Sequence, residues 1–193
     1  MFLAATLALL SYVVPTVAAL AAKGNWNEWS RAYYQIVTQQ GLAEVVWPGR
    51  LELVSQAPVV VLDGAHNPSA AQALRATVEE LWPQRAVHFL IGMSRDKLVE
   101  AVGQILGPLS ASVTCAKSRH PRALNPETLA ERLKPFCCLI HVVPDPLDAY
   151  TYLLNTVNAQ DVLVVTGSLF LVRDIRTALR QAHITPRRTA APA

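Results

Sequence analysis

From Leu51 onward the chain alternates short aliphatic runs with stretches of helical periodicity, and this alternation restricts the fold more than any other feature. The runs are Leu51–Val54, Val59–Leu62, Val87–Ile91, Ser112–Cys115, Leu139–Val143 and Val162–Thr166, rich in valine, isoleucine and leucine and with little polar alternation. A strand that is apolar on both faces has to be covered on both, which is the environment of a parallel sheet between helices. The intervening stretches read as helices. After Pro68, Ala71, Leu74, Val78 and Leu81 share one face while Arg75, Glu79 and Glu80 face away. Lys97 to Leu106 places Leu98, Val102 and Leu106 together, and Asn125-Pro126 opens a further helix with Asn125 as N-cap. Pro146 to Leu154 and Ser168 to Ala182 complete the series, the last with Leu171, Val172, Ile175 and Leu179 as its buried stripe. Such a strand–helix series predicts an α/β domain, Rossmann-like, with a mostly parallel sheet and helices on both faces.

Composition agrees, since 52% hydrophobic and 16% charged residues suit a well-buried sheet. The net charge of +3 comes from scattered basic residues, which leaves no footprint for nucleic acid. Cys115, Cys137 and Cys138 lack metal-ligand spacing and read as reduced, buried thiols on strands of a cytoplasmic protein.

Before Leu51 the pattern changes. Residues 1–22 and 28–46 read as two helices that do not alternate with strands. They look like an attachment from another domain, joined through Trp47-Pro48-Gly49-Arg50. Phe2–Ala22 is uncharged and long enough to span a bilayer, and its small residues could serve as a signal-peptide cleavage site. No lysine or arginine precedes it, Ser11 and Pro15 interrupt it, and it is rich in alanine, so a buried helix is the preferred reading and no membrane partner is expected. The expected units are therefore residues 1–47, an α/β domain over 48–183, and a disordered tail over 184–193.

Ligands of an open parallel sheet bind where its strands lead into helices. Asp63-Gly64-Ala65-His66-Asn67-Pro68 joins a strand to a helix and combines a carboxylate, an imidazole and the free N–H groups of a helix start, which favour an anion. Asp63 could accept from hydroxyls such as those of a ribose and His66 could donate to an oxyanion, but simple capping by Asp63 and Asn67 accounts for the same residues. Ser168, after Thr166-Gly167, is likewise an N-cap or an anion ligand. Gly92 to Lys97 and Ser118 to Arg122 are charged loops that read equally as surface. Arg50 is a linker arginine that either reaches a cleft or faces solvent. No Gly-x-x-x-x-Gly-Lys-Ser/Thr, Gly-x-Gly-x-x-Gly, nucleophile elbow or zinc motif occurs.

Three segments carry a resemblance. Trp47-Pro48-Gly49-Arg50-Leu51-Glu52, Leu62 to Pro68, and Val165-Thr166-Gly167-Ser168-Leu169 resemble the folylpolyglutamate synthase/dihydrofolate synthase family of the Mur ligase superfamily. The Asp63–Pro68 hexapeptide, beginning thirteen residues after Arg50, is the most specific of them. Asp96-Lys97 and Pro121-Arg122-Ala123-Leu124 also look like family features, and the resemblance runs from about Gly41 to Leu179. It implies an ATP-dependent ligase that joins L-glutamate to dihydropteroate or a folate through an acyl phosphate, with Mg2+ in the intact enzyme. It further implies that Arg50 contacts the ATP phosphates, that Asp63 binds the nucleotide on its ribose side, that His66 lies at the nucleotide or the reacting centre, and that Ser168 lies near the incoming glutamate. The family's P-loop, its magnesium ligands and most of its pterin-binding residues belong to an N-terminal ATPase domain that is missing here. The expectation is a C-terminal portion whose first two helices belong to that domain and which is inactive by itself. The alternative is a non-catalytic nucleotide-binding or interaction module that pairs with a separate P-loop subunit. Nothing in the sequence separates the dihydrofolate synthase from the folylpolyglutamate synthase activity.

Overall fold

The computed structural model describes residues 48–184. The two helices expected at 1–22 and 28–46, the apolar Phe2–Ala22 run and the tail from Pro186 lie outside the described residues. Strand β1 (Glu52–Gln56) turns through Ala57-Pro58, whose peptide bond is cis, into β2 (Val59–Leu62). Then follow helix α1 (Pro68–Leu81), β3 (Val87–Ile91), α2 (Val99–Leu106), a short 3-10 turn, β4 (Ser110–Cys115) and α3 (Pro126–Leu133). The series closes with β5 (Ile140–Val142), α4 (Pro146–Thr156), β6 (Val162–Thr166) and α5 (Leu169–Ile184).

The six strands form one sheet in the order β1-β2-β6-β3-β4-β5. All neighbours are parallel except β1 and β2, because a two-residue connection can only make a hairpin whereas parallel neighbours need a crossover. Helices cover both faces, as the continuous aliphatic strands require. Val59, Val61, Phe89, Ile91, Val113, Val162 and Val164 pack against α1, α2 and α3. Val60, Leu62, Leu90, Leu163 and Val165 point the other way onto Ala149, Tyr150 and Leu153 of α4 and Leu171, Val172 and Ile175 of α5. Every residue of β2 and β6 is buried, and the outer strands β1 and β5 are only half covered, since an edge strand has a neighbour on one side.

Three helices begin the same way. Asn67, Asn125 and Asp145 each accept from backbone N–H groups of the following turn, and a proline occupies the first helical position of each. This arrangement satisfies otherwise orphaned donors and presets φ.

Some expectations need correction. Leu81 and Leu98 are 52% and 63% exposed, because Leu81 ends α1 beyond the sheet and Leu98 precedes the first turn of α2, whose buried face is Val99, Val102 and Leu106. All three cysteines are free, but only Cys115 is a buried strand residue; Cys137 is half-buried and Cys138 exposed in the connection from α3 to β5. Burial pushes the Cys115 thiol up to about 12, with Cys137 nearby adding to the shift.

On the outer surface, Arg132 of α3 grips Glu100 of α2 through two bonds, Nε to Oε1 at 2.6 Å and Nη2 to Oε2 at 2.7 Å. The bond from Arg132 holds the Glu100 carboxyl at about 2 instead of 4.5. A depressed folded-state carboxyl contributes stability that is present above its unfolded value and is lost as pH falls through the folded one. The pair is therefore expected to hold α2 against α3 at neutral pH and to release between about 4.5 and 2. A carboxyl-carbon NMR titration of Glu100 checks this, with a midpoint near 4.5 as the contrary result.

Candidate functional site

The carboxyl edge of the sheet gathers the predicted residues. Hairpin pairing places Glu52 opposite Leu62, so the Pro48–Leu51 turn that precedes β1 lies directly beside the Asp63–Pro68 turn that follows β2. Four hydrogen bonds stitch this corner. Leu51 N donates to Asp63 Oδ2 at 2.9 Å, Ala65 N to Asp63 Oδ1 at 2.8 Å, Gly64 N to the Gly49 carbonyl at 2.8 Å, and Gly49 N to Glu52 Oε2 at 2.8 Å. Asp63 thus uses each carboxylate oxygen once on the backbone, which leaves each oxygen further acceptor capacity.

Two glycines are required here. Gly49 has φ of +72°, and a Cβ on it would sit 2.9 Å from Val172 Cγ1. A Cβ on Gly64 would sit 2.3 Å from Leu169 Cδ2, so the first turn of α5 presses directly on the turn after β2. Leu51 has φ of +47°, a conformation costly for a residue with a Cβ, and it is held there by the bond from its N–H to Asp63.

His66 is half-buried, and its Nδ1 lies 2.8 Å from the Gly64 carbonyl. A carbonyl only accepts, so Nδ1 carries the proton and the neutral ring presents Nε2 as an acceptor. The donor role expected from sequence is therefore open to Nε2 only when the imidazole is charged. Arg50 is exposed, and its guanidinium has no hydrogen-bond or ion-pair partner among the described residues. Asn67 is the N-cap of α1, accepting from Ala70 N at 2.9 Å.

The turn after β6 lies alongside. Gly167 N donates to the Ala65 carbonyl at 2.9 Å, and the Thr166 hydroxyl donates to it at 3.3 Å. Ser168 is buried and its Oγ accepts from Phe170 N at 3.1 Å, which is a capping bond that leaves the hydroxyl proton unassigned. The Gly92–Lys97 loop joins through Gly92 N to the Thr166 carbonyl at 3.3 Å. That loop bonds in turn to the basic loop, with Arg95 N to the Arg122 carbonyl at 3.0 Å and Leu124 N to the Met93 carbonyl at 2.8 Å. Within it, the bond from Lys97 holds the Asp96 carboxyl below its usual range.

Phe170, Arg173, Asp174, Arg176 and Glu52, to which the sequence pattern assigns no role, also build this edge. His120 stacks on Phe170 with ring centroids 3.7 Å apart, and Arg173 lies over the same ring at 5.4 Å. Asp174 accepts from Arg119 N at 2.8 Å, which fastens the basic loop to α5. Glu52 accepts from Arg176 Nε at 2.8 Å through its other oxygen, Oε1. Phe170, Asp174 and Arg176 sit on a helix whose pattern marks only its buried stripe, so no local signal singled them out. Glu52 lay inside a quoted motif without a function attached. All four turns singled out from sequence therefore meet along this edge, and Arg122 in one of them and Arg50 in the linker turn are exposed.

Among the described residues no cluster of three or more His, Cys, Asp or Glu side chains could hold a metal ion. Among the same residues no helix is long and apolar enough to cross a membrane.

Comparison with known proteins matches the chain to the family model described as Mur ligase, glutamate ligase domain, over residues 49–169. The Escherichia coli dihydrofolate synthase/folylpolyglutamate synthase is 30% identical over 71% of the chain and 32% of its own length, and the Mycobacterium tuberculosis enzyme of the same name is 34% identical over 71% and 31%. The structure of Escherichia coli FolC in complex with DHPP and ADP superposes with a TM-score of 0.69 at 28% identity, covering 74% of this chain and 34% of that one. A bifunctional folylpolyglutamate synthase/dihydrofolate synthase with Mn, AMPPNP and L-glutamate bound gives a TM-score of 0.67 at 31% identity, over 73% and 34%. The chain thus spans about a third of the length of the relatives it matches. The strand order, the paired turns at the carboxyl edge and the match over residues 49–169 lead to one assignment: the chain belongs to the Mur ligase glutamate ligase domain family, and within it resembles the C-terminal domain of folylpolyglutamate synthase/dihydrofolate synthase.

Proposed function

We propose that this chain supplies the nucleotide- and glutamate-side portion of an ATP-dependent ligase that adds L-glutamate to dihydropteroate or folates through an acyl phosphate. The observation that supports the reading is the stitched corner of Pro48–Leu51 and Asp63–Pro68, which sets the exposed Arg50, whose guanidinium has no partner among the described residues, in the turn next to an anion-favouring helix start. The bound ADP, AMPPNP and L-glutamate of the solved neighbours support it.

In that reaction a substrate carboxylate oxygen attacks the γ-phosphorus of ATP and ADP leaves. The glutamate amine then attacks the acyl carbon, phosphate leaves, and the amine gives up a proton. Charge crowds at both steps, and preorganised cations and dipoles offset it. Arg50 contacts the phosphates, and the α1 N-terminus adds its partial positive charge. Asp63 uses its remaining lone pairs on the ribose side. His66 is the catalytic candidate: the Nε2 lone pair left by the Nδ1 bond to Gly64 would accept a hydrogen bond or proton from the incoming amine. Ser168 lies toward the glutamate, where its hydroxyl proton can reach a carboxylate. Mg2+ serves the intact enzyme, and its ligands belong to the P-loop portion.

The chain by itself holds no P-loop in its 193 residues and is proposed to be inactive alone. The test supplies ATP, dihydropteroate and L-glutamate to the purified chain, and to the same chain joined to the P-loop portion of a relative. No ADP is expected from the first and glutamylated product from the second. ADP release by the chain alone would overturn its inactivity, and a joined protein without product would overturn the ligase assignment.

A further inference from the structure

The linker arginine sits in a restrained turn. Its turn is pinned to the α/β domain from both sides, and the pin on the outer side is Glu52. One Glu52 oxygen accepts from Gly49 N at 2.8 Å and the other accepts from Arg176 Nε at 2.8 Å, so one carboxylate spans from the turn to α5. Both partners are largely shielded, with side chains 17% and 22% exposed for Glu52 and Arg176. A shielded, charge-assisted pair of this kind holds its geometry better than a surface pair does. On the inner side, Gly64 N and Asp63 hold Gly49 and Leu51. Leu51, next to Arg50, has φ of +47° although it carries a Cβ, so the turn is not one this sequence would keep without restraint.

We propose that Glu52, braced by Arg176, is the positioning residue for Arg50: it fixes the turn so that the guanidinium projects at a set place beside the Asp63–Pro68 helix start and moves with the α/β domain as one body. The ligand that senses this is a polyphosphate. The inference rests on the reading of Arg50 as a phosphate contact, and the experiment separates the two.

Charge makes the test one of sign. Glu52 is an anion close to Arg50 in sequence and joined to its turn. If it acted only through space, removing its charge would strengthen binding of another anion. If it positions Arg50, removing its charge weakens that binding. Inorganic tripolyphosphate is titrated calorimetrically into the full 193-residue chain, its Glu52→Gln, Arg50→Ala and double variants, and a Glu79→Gln control on the far surface of α1. Glu52→Gln is expected to raise the Kd by about threefold to tenfold, and the double variant to bind no more weakly than Arg50→Ala alone, since residues acting as a unit are not additive. Amide exchange supplies the second readout. Gly49 and Leu51 are expected to lose protection in Glu52→Gln while Leu163 and Val164, in the sheet centre, keep theirs, which also shows that the variant is folded.

Tighter or unchanged tripolyphosphate binding in Glu52→Gln, with Arg50→Ala weakened, overturns the positioning role. Unchanged protection of Gly49 overturns it as well. Arg50→Ala binding tripolyphosphate like the unaltered chain, with protection at Gly49 still lost in Glu52→Gln, instead overturns the reading of Arg50 as a phosphate contact and with it the purpose, though not the existence, of the brace.

Discussion

Replacing Asp63 by alanine is expected to weaken nucleotide binding by this chain and to destabilise the domain. The carboxylate accepts two backbone N–H groups, Leu51 at 2.9 Å and Ala65 at 2.8 Å. Hydrogen bonds to a charged acceptor contribute about 1.5–3 kcal/mol each, and the exposed Leu51 donor can turn to water, so about 2–3 kcal/mol in total is expected. The loss falls on the site first. Without Asp63, Leu51 loses the partner of its N–H at φ of +47°, and the turn carrying Arg50, still held at Gly49 by Glu52 and Gly64, loosens beside the start of α1. The proposed ribose contact goes with it. ADP affinity is expected to fall by more than about tenfold, the equivalent of about 1.4 kcal/mol. Asp63→Asn keeps one carbonyl oxygen for two donors and is expected to fall between the two. Calorimetric titration with ADP checks the binding and urea unfolding the stability. Asp63→Ala binding ADP as tightly as the unaltered chain would remove Asp63 from the site.

The largest expected loss of stability is in the core. Phe89 is fully buried at the centre of β3 and packs among Val102, Leu106, Val113 and Val164 in the cluster under α1, α2 and α3. Truncation to alanine removes the transfer free energy of the ring and leaves a cavity that close-packed neighbours can only partly fill. A cost of about 3–5 kcal/mol is expected, a large part of the roughly 5–15 kcal/mol that a domain has. The urea midpoint should fall with the slope unchanged, since the same surface is exposed on unfolding. A loss below about 1 kcal/mol would mean that the two sheet faces are not packed as described.

The type of nearly every described element was legible in the chain because each element's reason is local. Val59–Leu62 and Val162–Thr166 read as strands buried on both faces, and both are. Asn67-Pro68 and Asn125-Pro126 read as helix starts, since a capping side chain and a preset φ act within one turn, and both open helices. Where periodicity misled, at Leu81 and Leu98, the residues stand at helix ends, where the hydrophobic stripe runs past the surface it covers.

The site was legible only as its separate turns. Asp63, His66 and Ser168 were singled out because strand-to-helix turns of a parallel sheet open on one edge, and Arg50 because the family motif carries it. By itself, then, the sequence determined an α/β domain with its candidate site residues in those turns, since strand burial, helix caps and turn glycines act over a few residues. Only the tertiary structure decided how the turns meet. The two-residue hairpin makes β1 antiparallel and returns Arg50 to Asp63, while placing β6 between β2 and β3 sets the Ser168 turn against Ala65. The brace from Gly49 through Glu52 to Arg176 joins residues 124 positions apart, and a pairing at that distance leaves no period or spacing to read.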